Sequence, residues 1–117
     1  IVMFDSVIRS GAVVDRAILD KEVVVGQGAI VGEGPYDAPP NRQEPGRLNS
    51  GITVVGKQSV VPRGARLGRN VKVGGEVRNG DYTSRVVRAG ESVEPSPARR
   101  RREVALPAPA VVAESAG

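Results

Sequence analysis

Residues 51–74 read GITVVGKQSVVPRGARLGRNVKVG, and their spacing decides the fold. Aliphatic side chains fall at Val55, Val61, Leu67 and Val73, six residues apart. Two positions before each stands a small or β-branched residue: Thr53, Ser59, Ala65 and Val71. A turn former follows each aliphatic (Gly56, Pro62, Gly68, Gly74), and Gly64 and Asn70 stand three residues after Val61 and Leu67. Within each hexapeptide a separation of two puts the small and the aliphatic residue on one side of a short strand. The remaining positions turn a corner, where Gly and Asn tolerate the backbone best. A helical period of 3.6 fits poorly, because Gly recurs at every repeat and β-branched Val is abundant.

The same register runs through the N-terminal third. Val2, Ile8 and Val14 are six apart, and after a five-residue step come Leu19, Val25 and Val31. Their small partners are Ser6, Ala12, Ala17, Val23 and Ala29, with corner glycines at Gly11, Gly28 and Gly34. Three such edges close one triangular coil. Stacked coils then form an all-β prism of parallel ladders with an aliphatic interior, a parallel β-helix built from hexapeptide repeats.

Two stretches depart from this register. Residues 33–50 (EGPYDAPPNRQEPGRLNS) would place Asp37, Gln43 and Asn49 inside, so they are expected to form an excursion loop leaving the prism. After Val73 the register fails at Asn79 and Arg85; Asn79-Gly80 reads as a tight turn, and Val87 and Val93 as a final apolar edge. The β-helix domain is thus expected over residues 1–94. From 95 to 117 the chain turns to Pro, Ala and the run Arg99–Arg102, a composition expected to give a disordered, flexible tail.

Composition limits the chemistry. The 117 residues contain no His and no Cys, and aromatics are 3%. Ser-His and Cys-His nucleophilic catalysis, histidine-ligated metals, disulfides and zinc knuckles are therefore excluded within the chain. Few aromatics leave little scope for stacking bases. The formal charge is +4, of which the tail supplies half, so no nucleic-acid partner is expected. No run approaches the ~18 apolar residues of a membrane span and no signal peptide is visible, so no membrane partner is expected and the location is read as cytoplasmic. The chain begins at Ile1 in mid-pattern and is expected to be part of a longer protein.

Local motifs resolve mostly into the repeat. Gly26-Gln27-Gly28-Ala29-Ile30-Val31-Gly32 has the wrong spacing for a dinucleotide fingerprint and no helix after it, so its glycines are read as corners. Asp15 and Asp20 fall at corners facing solvent, and no catalytic or metal-binding residue is assigned. Lys57, Arg63, Arg66, Arg69, Lys72, Arg78, Arg85 and Arg88 form a loosely basic stretch. Of these, Lys72, Arg78, Arg85 and Arg88 are the candidates for an anion site that would take a phosphorylated effector.

The segments SVIRSGAVVDRAILDKEVVVGQGAIVGEG, LNSGITVVGKQSVVPRGARLGRNVKVG and VVRAGESV together resemble one family. They are similar to the C-terminal left-handed β-helix of glucose-1-phosphate adenylyltransferases, within the sugar-phosphate nucleotidyltransferases. The RAILDK segment with its five-residue step, then the loop and SGITVVGK, narrows the choice within that group. The resemblance implies an N-terminal catalytic domain outside this sequence, making ADP-glucose and pyrophosphate from ATP and glucose 1-phosphate with Mg²⁺. No cofactor is then expected in this chain. It also implies a homo-oligomer, a tetramer, and a share in allosteric control. The β-helix of a mannose-1-phosphate guanylyltransferase-like enzyme, or a non-catalytic scaffold subunit, remain alternatives. Hexapeptide acyltransferases use a His base and β-helix carbonic anhydrases a His₃ zinc site, so the absence of His removes both.

The register makes a direct prediction. Val61→Asp would bury an unpaired carboxylate between coils and should abolish the β-type circular dichroism. Retention of that spectrum would contradict the register.

Overall fold

The computed structural model describes residues 1–97, and the tail expected over 95–117 lies largely outside them. The described residues wind through eleven short strands: β1 (Val7–Ile8), β2 (Val13–Val14), β3 (Ala17–Leu19), β4 (Val24–Val25), β5 (Ile30–Glu33), β6 (Thr53–Val55), β7 (Val60–Val61), β8 (Arg66–Gly68), β9 (Lys72–Val73), β10 (Val86–Val87) and β11 (Ser92–Val93). They pair in three sheets, ordered β1-β4-β7, β2-β5-β8-β10 and β3-β6-β9-β11, and every pairing is parallel. Strands visit the three sheets in rotation, which is the parallel β-helix the spacing predicts. Coil one comprises β1–β3, coil two β4–β6 and coil three β7–β9; β10 and β11 belong to the fourth.

Pairing aligns the repeat positions into columns. Ile8, Val25 and Val61 share one register, Val14, Val31, Leu67 and Val87 a second, and Leu19, Val55, Val73 and Val93 a third. From Leu19 to Leu67 these side chains have no exposed surface. The small position is interior too, so polar residues there need partners. Ser59 Oγ donates to Gly74 O (2.5 Å) and accepts from Val77 N (3.0 Å). Thr53 and Ser6 repeat the arrangement, donating to Gly68 O and Asp20 O. Ser and Thr therefore tie the corner of the following coil to the interior.

Corners are less glycine-dependent than the spacing suggests. Asp5, Glu22, Gln58 and Glu76 occupy the corner leading into the first sheet, all with φ between 59 and 61°. Glycine is required where backbones meet. A Cβ on Gly32 would lie 2.0 Å from Asp15 O, and one on Gly26 2.5 Å from Arg63 N. The glycines of the apparent dinucleotide motif are thus packing and corner residues, as read from their spacing.

The excursion does not simply leave the prism. β5 continues through Glu33, and the segment after it folds back over the corner between the second and third sheets. Asn41 is fully buried, although its Pro-rich surroundings read as surface. Its Nδ2 donates to Asn70 O (2.9 Å) and Glu91 O (3.1 Å), while its Oδ1 accepts from Gln43 N (2.9 Å). Asn70, also fully buried, answers with Nδ2 to Pro39 O (2.9 Å) and Oδ1 from Gly51 N (2.8 Å). Two side-chain amides replace the sheet partners that the loop backbone lacks, so it can pack without an apolar face of its own.

The fourth coil is interrupted rather than lost. Val77 is fully buried and its carbonyl accepts from Val60 N (2.9 Å), so the small position continues from Val71. Asn79–Asp81 then form a 3-10 turn, the structural counterpart of the expected tight turn. The ladder breaks there, and side chains take up its carbonyls. Tyr82 Oη donates to Val60 O (2.9 Å), Arg78 Nη1 to Gln58 O, and Arg85 Nη1 to Arg63 O. One coil earlier a backbone amide, Gly64 N, does the same service for Gln27 O (3.0 Å).

Burial, and secondarily the Asp81 charge, push the Tyr82 phenol well above its ordinary value of 10.0. The folded state therefore holds this proton more tightly than the unfolded state, and its contribution is lost as pH rises past that ordinary value. Tyr82→Phe should cost about 1–3 kcal/mol at neutral pH, by leaving Val60 O unpaired. In denaturant melts the deficit should shrink in alkali, where only the wild type loses stability by ionising in the unfolded state. A deficit that is absent, or independent of pH, would contradict this role.

Candidate functional site

The four cations singled out from the sequence do not converge. Lys72 lies outward in the third sheet, with Nζ 3.2 Å from Glu44 Oε2 and 3.6 Å from Glu94 Oε2. Its hydrogen bond to Glu44 and the nearby carboxylates raise its pKa against the opposing effect of burial. Arg78 follows the buried Val77 beside the first sheet, and its guanidinium holds the Gln58 carbonyl. Arg85 and Arg88 flank β10 in the second sheet. Arg85 reaches back to Arg63 O, whereas Arg88 is exposed on a polar depression of about 360 Å³ shared with Ser84, Ser92, Glu91 and Glu94.

Two other members of the basic stretch have structural duties. Arg66 donates twice to Glu33 Oε1 (2.9 and 2.7 Å) across adjacent strands. Arg69 has a side chain only 5% exposed. Its Nη2 donates to Asp15 Oδ2 (2.7 Å), Nη1 to Asp15 O (3.1 Å) and Nε to Gly34 O (2.9 Å). Asp15 thus turns toward a buried guanidinium instead of facing solvent alone. Asp20 Oδ1 accepts from Lys21 N (2.7 Å), which is a local turn contact. Among the described residues no three acidic side chains gather as a metal site.

A different surface emerges at the N-terminal end. Val2 and Ile8 hold interior positions of the repeat yet remain 49% and 43% exposed. With Val14, Ile18, Ile52 and the Arg16 guanidinium they line an opening of about 690 Å³. A second groove of about 340 Å³ adjoins it through Ile18 and Ile52, and continues over Val54 and Leu48 to Arg47 and Lys72. The opposite end contrasts sharply, since Val87 and Val93 are only 9% and 8% exposed.

The outward face carries a related signal that the sequence reading did not use. The residue between the small and aliphatic positions is itself aliphatic at Val7, Val13, Ile18, Val24, Ile30, Val54 and Val60. It becomes charged at Arg66 and Lys72. The outer surface is therefore aliphatic through Val60 at the start of coil three, basic at Arg66 and Lys72, and aliphatic again at Val86 in coil four, which is 52% exposed. No helix among the described residues is long and apolar enough to cross a membrane.

Comparison with known proteins places this arrangement. No family model and no solved structure matches the chain. It is 56% identical over 95 residues to a glucose-1-phosphate adenylyltransferase of Thermomicrobium roseum, a match covering 81% of this chain and 22% of that protein. It is 37% identical over 93 residues to the enzyme of the same name from Acetivibrio thermocellus, covering 80% of this chain and 21% of that protein. A third, from Ruminiclostridium cellulolyticum, is 46% identical over 61 residues, or 52% of this chain and 14% of its own length. The chain spans about a fifth of the length of the first two relatives, and by this similarity it belongs to the glucose-1-phosphate adenylyltransferase family.

Proposed function

We propose that this chain is the C-terminal, left-handed β-helix of an enzyme that makes ADP-glucose from ATP and glucose 1-phosphate, in the cytoplasm, for glycogen or starch synthesis. Its role in that enzyme is assembly and regulation, and the chemistry belongs to a catalytic domain elsewhere in the protein. The observation that carries this reading is the match itself: strong identity confined to about a fifth of each relative.

Physical features support the division of labour. Among the described residues, aliphatic side chains of the repeat interior stand open to solvent only at the N-terminal end, where another part of the enzyme would bury them. Burial there would be worth about 25 cal/mol per Å² of apolar surface removed from water. The acidic side chains described above are engaged with Arg and Lys partners or with turn amides, which leaves them poorly suited to Mg²⁺. In this proposal the Mg²⁺ of the reaction is held by the catalytic domain.

Regulation is read through the basic part of the last coil. A phosphorylated metabolite needs cations with free donors, and a guanidinium offers five in a fork that fits phosphate. Of the original four, the Arg88 side chain has no hydrogen-bond or ion-pair partner among the described residues, and Arg85 beside it gives one nitrogen to Arg63 O and keeps its other donors, whereas Lys72 is already balanced by two carboxylates. The assembly is taken to be a homotetramer.

Two paired assays test the proposal. The chain alone, given ATP, glucose 1-phosphate and Mg²⁺, should form no ADP-glucose; measurable turnover would sink the division of labour. The intact enzyme carrying both Arg85→Ala and Arg88→Ala should respond less to fructose bisphosphate, phosphate or AMP, and an unchanged response to all three would remove the effector role.

A further inference from the structure

The chain contains four asparagines, and the structure treats one of them differently. Asn41 and Asn70 are buried and hold each other's surroundings through their amides. Asn49 donates from Nδ2 to Pro45 O (3.0 Å). Asn79 is exposed, its side-chain amide has no hydrogen bond to the described residues, and the next residue is Gly80. The residues after Asn41, Asn49 and Asn70 are Arg42, Ser50 and Val71, each with a side chain that hinders approach of its own nitrogen. A Cβ placed on Gly80 would meet nothing within 4 Å, so no neighbouring segment crowds this residue. Gly80 is also the second residue of a 3-10 turn, where leading amides lack an intrahelical acceptor.

The geometry points to Asn79-Gly80 as a site of spontaneous covalent modification, deamidation to aspartate and isoaspartate. The Gly80 main-chain nitrogen attacks Asn79 Cγ. A C–N bond forms, the side-chain amide leaves as ammonia with the proton given up by Gly80, and a cyclic imide results. Water then opens the ring at either carbonyl, giving aspartate or isoaspartate, with no oxidant or reductant required. The turn must open locally for the attack. It is held by Tyr82 N to Asn79 O (3.3 Å), Asp81 N to Arg78 O (3.0 Å) and Arg78 N to Asp81 Oδ2 (2.8 Å), bonds at the surface where local opening is cheapest.

Both products act on the last coil. Each adds a carboxylate between Arg78 and Asp81 and lowers the positive charge of this edge by one unit. Isoaspartate also routes the backbone through the side-chain carbons, lengthening the turn that sets Tyr82 Oη on Val60 O and Asp81 Oδ1 on Ser96 N. The modification would therefore loosen the closed end of the prism. This inference is independent of the proposed enzymatic role.

The test holds the intact protein in mildly alkaline buffer and follows each asparagine by peptide mapping and mass spectrometry. The Asn79 peptide should gain one dalton ahead of those carrying Asn41, Asn49 and Asn70, and should accept methyl groups from an isoaspartate-specific methyltransferase. Gly80→Ala, which the open space around Gly80 allows without disturbing the fold, should slow the gain several-fold. Circular dichroism on that variant verifies that it is folded. Deamidation of Asn79 no faster than of Asn49, or an unchanged rate in folded Gly80→Ala, would overturn the assignment.

Discussion

The rest of the structure depends on the guanidinium of Arg69. A buried cation is costly unless it is paired and its donors are used. Here one side chain reaches from coil three to both the carboxylate and the carbonyl of Asp15 in coil one, and to Gly34 at the start of the excursion. The Tyr36 ring lies 4.4 Å from it, with Arg16 4.2 Å from the same ring. Space for this arrangement exists only because residue 32 has no side chain. Once Gly34 and Tyr36 are fixed, the following segment is directed back over the corner where Asn41 and Asn70 receive it. Three coils and the loop are thereby joined across, as well as along, the sheet ladders. Stacked repeats otherwise contact only their neighbours, so such cross-ties give the stack a cooperativity that ladder bonds alone do not.

Much of the architecture was legible because a six-residue period leaves few alternatives. Val55, Val61, Leu67 and Val73 marked the interior columns, and each is buried in its expected register. The return of the loop was not legible. Asn41 and Asn70 carry the composition of turns, and only three-dimensional reciprocity shows that they satisfy buried backbone. Val77 continues the small position of the repeat, but the register fails two residues later at Asn79, so the sequence pattern does not mark it as interior. Glu22 and Gln58 gave no sign of left-handed corners, since the stacked neighbours rather than intrinsic preference hold them there.

The candidate site was less readable for a related reason. A run of Arg and Lys in sequence signals positive charge, but not whether the donors are spent. In this chain Arg66 and Arg69 are spent on carboxylates and carbonyls, and Arg78 and Arg85 each give one nitrogen to a carbonyl that an interrupted ladder would leave unpaired. The aliphatic outer residues, from Val7 to Val60, were visible in the sequence throughout. They do not set the register, which the inward positions define by themselves, so their apolar surface becomes evident once the strands are placed. The polarity of the prism lies in its interior positions, which are open at Val2 and Ile8 and closed at Val87 and Val93.

Arg69→Met, followed by amide hydrogen exchange, tests the central claim most directly. It preserves much of the side-chain bulk while deleting every donor. Protection should fall at Asn41 in the excursion and at Gly51 immediately after it, both remote in sequence from the substitution, as well as at Asp15 in coil one. Protection unchanged at these amides would mean that the ladders alone hold the stack and that the buried guanidinium does not tie it together.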